Sequence, residues 1–299
     1  MRRVLRFLVP VVALPPACRW TAEGKGEFEP RMGAWRALFG KEAIALEADR
    51  VIWFRDGELL FYRARHDRLG LFLEQWGRRE RVGIAINGSA LSLRTATGDR
   101  AFTRATGVPG CLVLPRFDLG PALPLPEERI REIREELARR SGADQAVRKD
   151  PARRGEMEAI DKANTAFLKE TVGRVGWIDA PRFGREAAGA AFLLVQHSGD
   201  LSLMAAALPA IEEDVRAHRV DPQDYALLFD RLQISMGRRQ RYGSQIGQDD
   251  AGRPVVLPLE DRSRVDAQRG ALGLIPLQAY LEALRNMFGW AEVGFLEDA

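Results

Sequence analysis

Residues 120–128 read GPALPLPEE, and the spacing of apolar residues changes from one side of them to the other. Pro121, Pro124 and Pro126 remove backbone donors and favour extended chain, and Glu127 and Glu128 then stand where the first turn of a helix favours negative charge. The stretch therefore predicts a linker that ends at a helix start. Upstream, residues 40–118 carry short β-prone runs, AIALEA, VIWF, ELLFYRA, RVGIAI, ALSLR and CLVL. Asp56-Gly57, Asn87-Gly88 and Thr97-Gly98-Asp99 break them as turn signals. Asn87-Gly88 between two such runs predicts a hairpin whose central residues both take positive φ.

Downstream the period becomes helical. Ile130, Ile133 and Leu137 form a narrow apolar stripe on a first helix that ends before a polar cluster following Gly142. Met157, Ile160, Asn164, Phe167, Leu168 and Val172 form a second stripe with a polar residue in its middle. Ala187 to Val195 has no polar face and predicts a central helix. Further helices are expected over about 201–218, 222–236 with Asp221 as N-cap, and 276–288. RYGSQIG, the Asp249-Asp250-Ala251-Gly252 turn and RPVVLPL predict a β-hairpin packed on those helices. The fold class expected is α+β: a small strand-rich N-terminal α/β domain over residues 19–120, and a mainly α-helical domain with a β-hairpin over 121–299.

Composition restricts the partners. Lys and Arg total 45 against 42 Asp and Glu, but Arg2, Arg3 and Arg6 all lie in the first seventeen residues, which hold no acid. Without them the two signs balance at 42 each, so no basic surface for nucleic acid is expected. The start, MRRVLRFLVPVVALPPAC, has the basic and short apolar regions of an export signal over residues 1–18 and is too short and proline-broken to span a bilayer. Cys18 after Leu14-Pro15-Pro16-Ala17 resembles a bacterial lipoprotein cleavage site, with Pro15 departing from its pattern. The expectation is an exported protein, periplasmic or membrane-anchored through a lipidated Cys18; a cytoplasmic protein with an apolar start is the alternative. Cys111 alone remains downstream, which leaves no disulfide framework.

No GxSxG elbow, GxxxxGK phosphate loop or GxGxxG after a strand is present. With His66, His197 and His218 as its histidines, the chain has no HExxH or three-histidine zinc spacing, and no metal is expected. No cofactor is indicated. What stands out is a set of polar residues in apolar surroundings: Asp144, Gln145 and Arg148; Asp161, Asn164, Thr165 and Lys169; Gln196 and His197 ending the greasy helix; Asp230 and Arg231; and Gln240, Tyr242 and Gln245. Buried polar groups need partners, and these residues are expected to find them in one another around a pocket.

In order along the chain, ADQAVR, AIDKANTAFLK, GW, AFLLVQH, FDR, GRRQRYGSQ and PLEDRSRVDAQRGALGLIPLQAYL resemble the motifs of an uncharacterised bacterial domain, domain-of-unknown-function family 6624, over about residues 125–289. The resemblance implies as site residues Asp144, Gln145 and Arg148; Asp161, Asn164, Thr165 and Lys169; Gln196 and His197; Asp230 and Arg231; Gln240, Tyr242 and Gln245; and Glu260, Asp261, Asp266 and Arg269. Ala143, Ser244 and HSGD depart from its pattern. It implies no activity.

Two function classes follow. In one, His197 is a general acid or base oriented by Asp161 or Asp200, and the Gln and Arg groups bind an unknown small ligand. In the other, the chain is a non-catalytic envelope-associated module that engages an envelope protein, and the polar network is structural. An imidazole on a carboxylate in an open cleft favours the first; an occluded His197 favours the second.

Overall fold

The computed structural model describes residues 33–37, 42–67, 70–106 and 109–296, so the signal segment and Cys18 lie outside the described residues. The fold is α+β, and the chain divides into two compact units. One holds Pro115–Leu232 and Asp266–Pro276; the other holds the strands together with Gln233–Val265 and Leu277–Ala299. Two C-terminal segments thus group with the strands.

In the strand unit, β1 (Gly33–Ala37), β2 (Ala43–Leu46), β3 (Arg50–Arg55), β4 (Glu58–Asp67), β5 (Gly70–Gln75), β6 (Arg78–Asn87), β7 (Ala90–Thr95) and β8 (Gly98–Arg104) each pair antiparallel with the next. β1 pairs with β8 and closes an eight-stranded barrel, which leaves no open edge. Period-2 alternation fills the interior: along β7, Leu91, Leu93 and Thr95 are buried while Ala90, Ser92 and Arg94 are exposed. Trp35, Ile44, Trp53 and Phe102 pack beside them.

Asp56 and Gly57, with φ 55° and 85°, make a two-residue turn of the kind whose twist matches its strands. At the β6–β7 hairpin Asn87 pairs with Ala90, so Gly88-Ser89 is the turn and Asn87 ends the strand. Gly88 supplies the one positive φ, 61°, that a turn with glycine first requires. CLVL, expected as a strand, begins in a 3₁₀ turn over Gly110–Leu112 and goes on without regular structure; the closed barrel offers it no edge to pair with.

β9 (Ile246–Gln248) and β10 (Pro254–Val256) form the expected hairpin, and β11 (Gly294–Phe295) joins β10 in parallel. The hairpin packs against the barrel. A Cβ on Gly77 would lie 2.7 Å from the Gln248 carbonyl oxygen and one on Gly247 would lie 2.9 Å from that of Trp76, so this approach requires glycine on both sides. Arg79 adds an ion pair to Asp250. The helix α7 (Leu277–Phe288) belongs to the same unit.

In the helical unit, α1 (Glu127–Lys149) runs straight through Gly142. The sequence-based end before Asp144 is therefore wrong, since one interior glycine costs only about 1 kcal/mol and does not stop a helix anchored by packing. α2 (Met157–Val175), α3 (Ala180–His197), α4 (Leu201–Arg216), α5 (Pro222–Ser235, to Leu232 in this unit) and α6 (Val265–Ala271) follow. Asp179, Asp200 and Asp221 accept backbone N–H bonds at the starts of α3, α4 and α5. The proline-rich stretch is not a slack connector. The Gly120 N–H donates to the Val172 carbonyl at 2.9 Å, and a Cβ there would lie 2.4 Å from the Gly173 oxygen, so it seats on the C-terminal turn of α2.

Candidate functional site

The inward stripe of α1 does not stop at Leu137. Ile133, Leu137, Asp144 and Val147 are its buried residues, so the helical period carries a carboxylate into the core at zero exposure. α3 delivers its own polar end to the same place. His197, the last residue of α3, sets Nδ1 3.0 and 2.9 Å from the two oxygens of Asp144. Arg148, one turn further along α1, donates from Nε to Asp144 at 3.0 Å, and Gln145 donates from Nε2 at 2.9 Å. The other arm of Arg148 is paired with Asp161 on α2. Thr165 caps this cluster, donating to the Asp161 carbonyl at 2.7 Å and to that of Ser198 at 3.4 Å.

The carboxylate on the imidazole is thus Asp144, not Asp161 or Asp200. Asp161 joins the pair through Arg148, and Asp200 is engaged as the cap of α4 and as the partner of Lys169, 2.8 Å away. Asn164 sits at 4% exposure and accepts from Arg140 at 3.2 Å; its Nδ2 has no hydrogen-bond partner among the described residues. Gln196 is fully buried and donates to the Leu227 carbonyl of α5 at 3.4 Å, and its Oε1 has no such partner there. Asp230 and Arg231, expected among the pocket residues, are both buried, at 0% and 5%.

The electrostatics follow from burial. It pushes the His197 imidazolium below its ordinary value, against the pull of Asp144, so the ring is neutral at pH 7. A neutral ring facing a carboxylate donates from Nδ1 and carries its lone pair on Nε2. Burial works against the Asp144 carboxylate too, but the hydrogen bond and charge of His197 with Arg148 outweigh it and hold Asp144 below the usual range. Asp161 goes the other way: burial raises it despite Arg148. Burial also pushes Arg231 down to about 10, with Arg148 lowering and Asp161 raising it, so Arg231 keeps its charge at pH 7.

Gln240, Tyr242 and Gln245 fall in the barrel unit. The Gln240 side chain there donates to the carbonyls of Gln245 and Leu257, at 2.9 and 2.7 Å, and accepts from the Gln245 N–H at 2.8 Å, which folds the GRRQRYGSQ loop onto the strand segment. Gln245 donates to the Ser244 hydroxyl. Glu260 pairs with Arg241, and Arg269, fully buried, donates to the Ile275 carbonyl at 2.6 Å. A groove lined by Arg134, Gln145, Lys149 and Glu186 runs between α1 and α3; its lining includes neither His197 nor Asp144.

The sequence singles out Asp144 with Gln145 and Arg148 as a polar cluster, but it places that cluster past the end of the first helix and pairs His197 with Asp161 or Asp200 instead. The signal for a buried Asp144 was the stripe itself, continued seven residues past Leu137. No curated protein matches the chain. The model of an uncharacterised family matches residues 131–292, more than half of the 299 residues and all of the Asp144–His197 cluster, so the chain belongs to the family of unknown function DUF6624.

Proposed function

We propose that the helical unit binds a small polar ligand and that His197 exchanges a proton with it, held in one tautomer by Asp144. One observation carries this reading: both oxygens of a fully buried carboxylate lie within 3.0 Å of Nδ1, with Arg148 and Gln145 holding that carboxylate in turn. This arrangement fixes the ring orientation and directs the basic Nε2 away from the carboxylate, as acid–base work requires. Arg148 and Arg231 supply positive charge beside it, suited to an anionic group. Asp161 is then a positioning residue, acting through Arg148.

A second reading, a structural network in an envelope-associated module, is favoured by the 3% exposure of the His197 side chain. His197→Asn separates the two. Asparagine retains a donor near Nδ1 and removes Nε2. A thermal-shift panel of small carboxylates, phosphates and sugars should contain a member that raises the melting temperature of the wild type and not of His197→Asn. If no member shifts the wild type and His197→Asn itself melts far lower, the network is structural.

The first eighteen residues support export, with Cys18 as the lipid-bearing residue. Cys18→Ser should then release the protein from membranes, and an intact Met1–Cys18 peptide on mature cytosolic protein would count against export.

A further inference from the structure

Among the described residues, two indole N–H groups in the barrel interior have no acceptor. Trp35 is fully buried and Trp53 is 1% exposed, and the register places both in one inward row, Trp35–Ile44–Trp53. Neither Nε1 has a hydrogen-bond partner among the described residues. A buried donor left so costs about 1–3 kcal/mol, and native structures keep few of them. Closer to one end of the barrel, on the inward faces of β3 and of the residue before β2, stand Arg55 and Glu42. Glu42 Oε1 meets Arg100 Nε at 3.6 Å, while its Oε2 is buried and also lacks a partner among the described residues. The Arg55 guanidinium lies over the Trp53 ring, 4.6 Å from its centre.

Alternation carries Glu58, Arg78, Glu80 and Arg100 to the same mouth, since Leu60 pairs with Trp53, Glu80 with Leu73 and Arg100 with Leu93 across the inward rows. Tyr62 faces inward beneath them: burial raises its hydroxyl, and Arg55, Glu80 and Glu58 all act on it. Charged residues at a barrel end are commonly just solvated. Here they share the inward rows with a buried donor and a buried acceptor that lack partners among the described residues, one on β3 and one just before β2, about 7–8 Å apart for a diagonal pair. Three carboxylates and three guanidinium groups cancel, so the mouth does not select a simple anion or cation. It suits a molecule that presents one group of each sign within a few ångströms, and barrel mouths are a common place for small-molecule sites.

We propose that this mouth binds a small zwitterion, an α-amino acid, with its carboxylate on Arg55 and the Trp53 indole N–H and its ammonium on Glu42. The test is isothermal titration of the full chain with each L-amino acid in turn, with acetate and methylamine as single-charge controls. At least one amino acid should bind, and the two controls should not. Trp53→Phe removes the N–H while keeping most of the ring, and Glu42→Gln removes the charge at the rim; each should weaken binding about tenfold, the equivalent of one hydrogen bond. If Trp53→Phe does not fold, Glu42→Gln, at a partly exposed position, decides alone. The proposal is overturned if no amino acid binds, if acetate binds as well as any amino acid, or if folded variants bind as the wild type does.

Discussion

Burial lowers the His197 imidazolium from its ordinary 6.5, so between that value and the lower folded one the unfolded chain holds the extra proton. Stability then falls as the pH drops through 6.5 and below. Asp144, held low, adds a loss at more acid pH, beneath its ordinary 3.8; Asp161, held high, gives the opposite slope above 3.8 and offsets part of the acid loss. The excess stability of the wild type over His197→Asn should therefore shrink between pH 7 and pH 5 in urea melts, and an excess that grew toward pH 5 would mean that the ring is charged in the fold. Asp144→Ala takes the shared acceptor from both His197 and Arg148. Arg148 keeps Asp161, but the buried His197 ring loses its acceptor, and a buried polar group left unmatched costs about 1–3 kcal/mol, so the same melts should show a loss of at least that size. A loss under about 1 kcal/mol would show that water replaces the carboxylate. The site was legible in sequence as a set of polar residues in apolar company, but not as a pairing. Asp144 and His197 are 53 residues apart, and only the packing of α1 on α3 joins them.

The elements follow their local chemistry where one period dominates. α2, α4 and α5 lie within a few residues of their expected spans, because apolar stripes and the capping Asp200 and Asp221 act over a single turn, whereas α3 starts at Ala180, well ahead of the expected Ala187, with Asp179 as its cap. The exceptions arise where tertiary structure overrides a local signal: Gly142 inside α1, and the Cys111 stretch shut out by barrel closure. α3 contains a test of both kinds of glycine. Gly184 has φ 78° and ψ 157°, breaks the helix after its first turn, and lies in a region other residues avoid. Gly189 is helical and exposed, with nothing within 4 Å of where a Cβ would stand. Gly184→Ala should destabilise by about 1–3 kcal/mol, and Gly189→Ala should stabilise by about 0.5–1 kcal/mol. Equal effects in chemical denaturation would show that the kink relaxes into continuous helix.

At the scale of the whole molecule, the barrel was legible only as a strand-rich region, since closure depends on the pairing of β1 with β8 across the entire unit. The grouping of the C-terminal hairpin with the barrel was not legible at all. Its evidence is a set of close backbone approaches, with a Gly237 Cβ due 2.8 Å from the Tyr62 carbonyl carbon and the Gly77 and Gly247 contacts beside it. Arg50 adds a bond from its guanidinium to the Met236 carbonyl at 3.3 Å. A chain cut to residues 121–299 would keep α1 to α6 and the Asp144–His197 cluster but would strip Gln233–Val265 and Leu277–Ala299 of the strands they pack on. Val255, Val256, Leu257 and Leu259, buried in the intact protein, would then face water or one another. That fragment should show helical circular dichroism, bind a hydrophobic dye and lose the single sharp transition of the intact chain, because about a third of its sequence, Gln233–Val265 and Leu277–Ala299, lacks a core. Residues 115–232, which contain almost all of the helical unit, should retain more of their helix per residue than the longer fragment does. A sharp two-state melt of 121–299 with no dye binding would mean that the hairpin and α7 find an adequate core among the helices, and that the barrel is an independent module.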